Sequence, residues 1–196
     1  MSTVSIIYFS GSGHTTKLAE AVTKGAASVP GVQTHLIAIN GEDIVKGRYK
    51  NEAVMAQLDA SDAIIFGSAT YMGGPAAQFK AFADASGERW YRGVWRDKVA
   101  GGFTVSGSPS GDKLNTLEYF FILAMQHSMI WVGTGLMPAN SKAAQRNDIN
   151  FVGSFAGAMA QSPSDSSPEE GPLPGDLETA KLFGKRVAET AAKLTK

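Results

Sequence analysis

The sequence predicts a doubly wound α/β domain, in which a parallel sheet of five strands is covered by helices on both faces. Three observations lead to this prediction. Short apolar runs recur along the chain, amphipathic helical patterns separate them, and a turn rich in Gly and Ser follows the first run. With 196 residues, the chain has the length of one domain with a sizeable core. We therefore expect a single domain over residues 1–196, with the strand order 2-1-3-4-5.

Four of the five predicted strands are short and almost wholly apolar, as strands covered on both faces are. The second strand, "VQTHLIAI", is more mixed, which is typical of a less buried position. In chain order, the predicted strands are residues 4–9, 32–39, 63–67, 99–105 and 129–132.

Amphipathic patterns between the apolar runs predict the helices. Pro75 lies at the start of the third pattern, where proline is favoured, and Asp176 suits the N-cap of the last one. The predicted helices are residues 14–28, 51–59, 75–85, 113–126 and 176–195. Because strands and helices alternate along the chain, a parallel sheet with crossover helices is favoured.

Two segments are longer than the smallest version of this fold needs. Residues 86–97, "SGERWYRGVWRD", form an aromatic insertion that carries two Trp, one Tyr and three Arg. Residues 133–175 form a long loop between the fifth strand and the last helix, and its second part, residues 161–175, is rich in Pro, Ser and Gly. Long connections in compact domains are usually functional or interfacial.

The composition excludes several classes of function. Lys+Arg and Asp+Glu both number 18, so the formal charge is zero, which argues against a nucleic-acid partner and against a carrier that docks through strong charge. The absence of cysteine excludes disulfides, thiolate metal sites and a Cys nucleophile, so redox chemistry would need a bound cofactor. The three scattered His predict no metal site. No apolar run reaches membrane-spanning length and the N-terminus lacks a basic start, so we expect no membrane span and a cytoplasmic protein.

The turn "SGSGHTT", residues 10–16, joins the first strand to the first helix. It lacks the Lys of a nucleoside triphosphate loop, and Thr16 occupies the position of the third Gly in a dinucleotide loop. What remains is a set of hydroxyls and backbone N–H groups at a helix N-terminus, where the helix dipole favours an anion. This suits a single terminal phosphate, and a turn without a ligand is the alternative.

Three segments carry a resemblance to a known family. "YFSGSGHTTKLAEAV", "DAIIFGSATYMGGPAAQFKAFAD" and "VAGGFTVSGSPSG" follow one another in the order found in flavodoxin-like FMN proteins, and they resemble the WrbA-type NAD(P)H:quinone oxidoreductases most. The resemblance covers most of residues 1–135 and implies FMN as cofactor, held by three loops. The implied FMN-binding residues are Ser10, Gly11, Ser12, Gly13, His14 and Thr15 in the phosphate loop; Thr70, Tyr71, Met72 and Gly73 in the second loop; and Val105, Ser106, Gly107, Ser108, Pro109 and Ser110 in the third loop.

Two further residues are implied by the resemblance as parts of the catalytic site. His127 matches a family His, which would donate to the flavin edge or to a substrate carbonyl, and Trp90 matches a Trp that lines the nicotinamide and quinone side. The sequence alone leaves the alternatives open that His127 is a core or surface residue and that Trp90 simply packs the insertion.

The resemblance implies an FMN-dependent oxidoreductase. It would pass hydride from NAD(P)H through flavin N5 to a quinone or similar flat acceptor in ping-pong fashion. A flavodoxin-like electron carrier and an FMN-binding module without reductase activity are the alternatives. The resemblance also implies a homodimer or homotetramer, with residues 86–97 and 133–160 as candidate contacts.

Overall fold

The computed structural model describes residues 1–194 and confirms the predicted fold class. The strands are β1 (Ser2–Phe9), β2 (Val32–Ala38), β3 (Ile44–Val45), β4 (Arg48–Tyr49), β5 (Ala63–Tyr71), β6 (Gly74–Pro75), β7 (Val99–Ser106), β8 (Ile130–Trp131) and β9 (Ala158–Gln161). The helices are α1 (His14–Ala27), α2 (Glu52–Asp59), α3 (Ala77–Ala85), α4 (Gly87–Arg92), α5 (Lys113–Gln126) and α6 (Pro174–Leu194).

The main sheet has the order β2-β1-β5-β7-β8, and each neighbouring pair along it is parallel. This is the predicted order 2-1-3-4-5, because β3, β4 and β6 lie in short hairpins outside the main path. In the centre of the sheet, Ile6 is aligned with Leu36 of β2 and with Ile65 of β5. The apolar runs of the sequence thus form the central strands.

The fifth position of the sheet is shared by two short strands. β8 pairs with the start of β7, and β9 pairs with its end, from Phe103–Ala158 to Ser106–Gln161. The long loop predicted over residues 133–175 therefore contains β9, a strand that the sequence analysis did not predict. The last residues of β7 would otherwise leave backbone groups unpaired at this edge, and β9 satisfies them.

The helices form two layers, and each layer buries an apolar cluster against the sheet. α1 and α6 cover one face, where Leu18 and Phe183 are fully buried. α2, α3 and α5 cover the other face, which contains Leu58, Phe79 and Phe120. The domain is thus doubly wound, as predicted.

The aromatic insertion 86–97 contributes both to the core and to the surface. It forms α4 and a turn, after which Trp95 is fully buried against Phe82, with 6.4 Å between ring centroids. Trp95 Nε1 donates to Asp59 Oδ1 over 2.7 Å. Trp90, in contrast, is 50% exposed.

The last helix, predicted over residues 176–195, differs from its prediction at its start. It begins at Pro174, so Asp176 lies inside the first turn rather than at the N-cap. Asp176 is buried, and both of its carboxylate oxygens accept from Arg146 over 2.8 and 2.6 Å. Residue 195 lies outside the described residues. Within residues 1–194, no helix combines the length and the apolar character that crossing a membrane requires.

Candidate functional site

The phosphate, second and third loops meet at one edge of the sheet, because β1, β5 and β7 are parallel and each loop follows one of them. A cavity of about 210 Å³ lies between the loops, and a second of about 410 Å³ adjoins it. Both cavities are lined by Thr70, Ser106, Gly107 and Ser164, so they form one cleft. Its position at the carboxyl ends of the strands is where doubly wound proteins bind ligands.

The phosphate loop holds its shape through Ser10. Ser10 Oγ accepts from the N–H of Gly13 over 3.0 Å and from that of Thr16 over 3.3 Å. Its hydroxyl proton stays available to a ligand, since both bonds use lone pairs. The N–H groups of Ser12, His14 and Thr15 in this loop have no acceptor among residues 1–194. Free N–H groups at the start of α1 form an anion site.

The second loop is the tip of the hairpin between β5 and β6. Tyr71 pairs with Gly74, and between them Met72 and Gly73 have φ of 48° and 78°, as a two-residue type I′ turn requires. The Met72 side chain is fully exposed, while Tyr71 is 47% exposed. The Tyr71 hydroxyl lies over Gly11, where any side chain would collide with it. Tyr71 therefore joins the second loop to the phosphate loop.

The Thr70 hydroxyl is held within the protein. It is hydrogen-bonded to Thr104 Oγ1 over 2.8 Å and to Thr116 Oγ1 over 2.7 Å, and all three side chains are buried. Thr70 lines the cleft, but its hydroxyl binds the second loop to β7 and α5.

The third loop closes on itself and is fixed from behind. Ser106 Oγ donates to the Ser108 carbonyl over 2.9 Å, and Gln161 Nε2 donates to the Gly107 carbonyl over 2.8 Å. Val105, Ser106, Gly107 and Ser108 line the cleft. The structure does not bring Pro109 and Ser110 to it, because both line a separate cavity of about 670 Å³ beside α5.

A fourth segment, residues 162–168, covers the phosphate loop and was missed by the sequence prediction. Ser162 and Ser164 line the cleft, and the Pro168 ring lies against Gly13. His14 Nε2 lies 3.0 Å from the Ser166 carbonyl oxygen and must donate to it, since a carbonyl only accepts. The available signal was the length and the Pro- and Ser-rich composition of this loop, which indicate function without naming residues.

His127 lies outside the cleft. α5 starts beside the third loop and its 14 residues span about 21 Å, so its end reaches the opposite edge of the sheet. There the His127 ring is 3% exposed, 4.4 Å from the Trp95 ring, and its Nε2 lies 2.8 Å from Ser86 Oγ. Burial lowers the pKa of His127 to about 4, so the ring is neutral near pH 7.

Trp90 lies near this same far edge, in α4, and its backbone N–H donates to the Ser86 carbonyl over 3.0 Å. Within one chain, the structure therefore brings neither predicted catalytic residue to the cleft. Trp90 is exposed and accessible to a second copy, whereas His127 is enclosed by its own chain.

The residues at the cleft suit a flavin mononucleotide. The free N–H groups at the start of α1, with neighbouring hydroxyls, match a terminal phosphate without needing a cation. Tyr71 offers a flat surface in the narrower part of the cleft and Met72 a flexible apolar surface in the wider part, as a flat ring system requires.

Fold and cleft together define a flavodoxin-like α/β protein with a ligand site at the carboxyl edge of its sheet. Residues 4–143 match the family described as NADPH-dependent FMN reductase. The chain belongs to this family, which confirms the resemblance inferred from the sequence and FMN as the cofactor class.

Full-length relatives carry two kinds of name. The chain is 45% identical over 194 residues to "Flavodoxin FldP" of Pseudomonas aeruginosa, with 99% of each chain covered. It is 32% identical over 204 residues to an "NAD(P)H dehydrogenase (quinone)" of Chromohalobacter salexigens, again with 99% of each chain covered. Among solved structures, it is similar to a flavodoxin, WrbA-like protein from Agrobacterium tumefaciens, with TM-score 0.76, 44% identity, and 98% and 99% of the two chains covered.

Proposed function

We propose that this protein is an FMN-dependent oxidoreductase that takes electrons from NAD(P)H and passes them to a quinone or a similar flat acceptor. The observation that carries the proposal is the pairing of an anion site at the start of α1 with an adjoining wider cleft. Membership of the NADPH-dependent FMN reductase family supports it. A cytoplasmic location, where NAD(P)H is available, is part of the proposal.

When bound, FMN supplies the two-electron chemistry, and the chain binds and orients it. The N–H groups of Ser12, His14 and Thr15 would hold the phosphate, with the Ser10 hydroxyl as a further donor. The second and third loops would flank the ring. No side chain of the cleft is required as a nucleophile.

The same open cleft would serve the nucleotide and the acceptor in turn. The cavity of about 410 Å³ reaches the surface at Met72, whose side chain is fully exposed beside it. One shared site predicts ping-pong kinetics. Double-reciprocal plots of NADPH oxidation at several concentrations of benzoquinone should give parallel lines. Intersecting lines would indicate that both substrates bind together and would overturn the shared site.

A carrier without its own reductase activity is the second candidate, because a relative 45% identical over its full length is named a flavodoxin. A carrier receives electrons from a protein partner rather than from NAD(P)H directly. If the purified protein oxidises NADPH only when a separate flavoprotein reductase is added, the carrier replaces our proposal.

We also propose that the protein forms a homodimer or homotetramer. The outer face of α5 exposes four large apolar residues: Leu114, Phe121, Ile122 and Met125, which are 51%, 42%, 57% and 41% exposed. The last three follow the first by 7, 8 and 11 positions, so all four lie in one stripe along the helix. A role for Trp90 in catalysis requires such assembly. Light scattering should give a multiple of 20.6 kDa for the wild type and a smaller species for Ile122→Glu. A wild-type monomer would contradict both the proposed oligomer and a role for Trp90 in catalysis.

A further inference from the structure

Lys113 is the first residue of α5 and is only 1% exposed. Its ammonium donates to three oxygens of the third loop: Ser106 Oγ over 2.7 Å, the Ser108 carbonyl over 3.0 Å and the Pro109 carbonyl over 2.7 Å. A lysine ammonium has three N–H donors, so this geometry uses all of them. Lys113 does not line the cleft, because the third loop lies between the Lys113 side chain and the cleft.

This charge is held without a direct ion pair. Among residues 1–194, no carboxylate oxygen lies within 4.0 Å of Lys113 Nζ. Burial lowers the pKa of Lys113 to about 8, while Asp176 opposes the shift, so most molecules carry the proton near pH 7. Burying a charge without an ion pair is costly, and the three loop oxygens that accept from the ammonium offset part of that cost.

The same turn of α5 also holds the second loop. Asn115 Nδ2 donates to the Gly73 carbonyl at the hairpin tip, and Thr116 Oγ1 is bonded to Thr70 Oγ1 over 2.7 Å. The first turn of α5 thus contacts two of the three loops that form the cleft. Lys113 is the cationic residue of this turn, and it is buried.

We propose that Lys113 is a positioning residue for the flavin, which fixes the third loop against the ring and, through its positive charge behind that loop, favours the reduced form. This inference rests on the proposed function, because FMN must occupy the cleft. Reduction adds negative charge to the flavin, so a nearby cation binds the reduced form more tightly than the oxidised form.

Lys98 supplies a matched control at the opposite edge of the sheet. Lys98 is half-buried rather than fully buried, and its ammonium donates to two backbone carbonyls, those of Asp59 over 2.8 Å and Ser61. Lys98→Met therefore removes the same kind of group without touching the cleft, and it measures the effect of losing a buried lysine on folding alone.

The experiment compares Lys113→Met, Lys113→Gln and Lys98→Met with the wild type. The readouts are the dissociation constant of FMN for the apoprotein, the midpoint potential of the bound flavin, and the melting temperature of the apoprotein. We expect Lys113→Met to weaken FMN binding at least tenfold and to lower the potential. Each extra tenfold loss of affinity for the reduced form over the oxidised form lowers it by about 30 mV. Lys98→Met should change only the melting temperature.

Lys113→Gln separates geometry from charge, since its amide can donate to the loop but carries no charge. We expect it to restore much of the FMN affinity while the potential stays low, and it decides the question if Lys113→Met does not fold. An unchanged potential in Lys113→Gln, or equal effects of the Lys113 and Lys98 variants, would overturn the inference while leaving the proposed function intact. A wild type that binds no FMN would overturn both.

Discussion

His14 and Ser166 are 152 residues apart in the chain, yet His14 Nε2 donates to the Ser166 carbonyl over 3.0 Å. The bond joins the phosphate loop to residues 162–168, and Pro168 packs beside it on Gly13. The anion site is therefore built from two segments that are far apart in the chain. The Gly- and Ser-rich motif that predicts it lies only in the phosphate loop.

Replacing His14 should loosen this cover. In His14→Ala, residues 162–168 lose their link to the phosphate loop, so their amide hydrogens should exchange faster and FMN should bind roughly three- to tenfold more weakly, as the loss of about 1 kcal/mol predicts. Hydrogen exchange by mass spectrometry and FMN titration measure the two effects. His35→Ala, in the edge strand β2, is the control and should leave both values unchanged.

The phosphate should account for much of the cofactor affinity. Three free N–H groups would make charge-assisted hydrogen bonds worth about 1.5–3 kcal/mol each. Riboflavin, which lacks the phosphate, should therefore bind at least about a thousandfold more weakly than FMN. Calorimetric titration of the apoprotein with both ligands tests this, and equal affinities would show that the start of α1 holds no anion.

Contact between Gly11 and the Tyr71 hydroxyl predicts a coupled pair of substitutions. Gly11→Ala places a methyl group against that hydroxyl and should destabilise the protein by up to about 1 kcal/mol, because the half-exposed Tyr71 side chain has to shift. In the Tyr71→Ala background the same change should cost much less, because the obstructing atoms are gone. Chemical denaturation of the four proteins of this cycle gives the coupling energy, and simple additivity would contradict the contact.

The buried His127 predicts a pH dependence of stability. Its pKa is about 4 in the folded protein and about 6.5 when unfolded, so between these values the unfolded chain binds more protons. The contribution is fully present above pH 6.5 and is lost as pH falls towards 4, by up to about 3 kcal/mol. His127→Gln should flatten the profile in this window relative to the wild type. Identical profiles in urea unfolding would mean that the His127 pKa is not depressed.

Local pattern and resemblance predicted most of the fold and of the cleft. The apolar runs identify the central strands, since a strand covered on both faces must be apolar throughout. The phosphate loop follows from its Gly and hydroxyl spacing at the end of β1. These features depend on neighbours in the sequence and are therefore readable from it.

The rest depends on contacts between distant residues. Four residues of mixed character, "AMAQ", give no strand signal, and β9 exists because the end of β7 needs a partner. In the sequence, Lys113 resembles any lysine of a helix, and its burial follows only from its contacts with the third loop. His127 matches a family position, but its place at the far end of α5 is set by the length of that helix.

Anaerobic mixing of the FMN-loaded protein with NADPH, and separately with NADH, tests the central claim most directly. The account predicts that at least one nucleotide bleaches the visible absorption of the oxidised flavin without any other protein, and that added benzoquinone restores it. A flavin that dithionite reduces but that stays oxidised with both nucleotides would contradict the account and identify a carrier or a binding module instead.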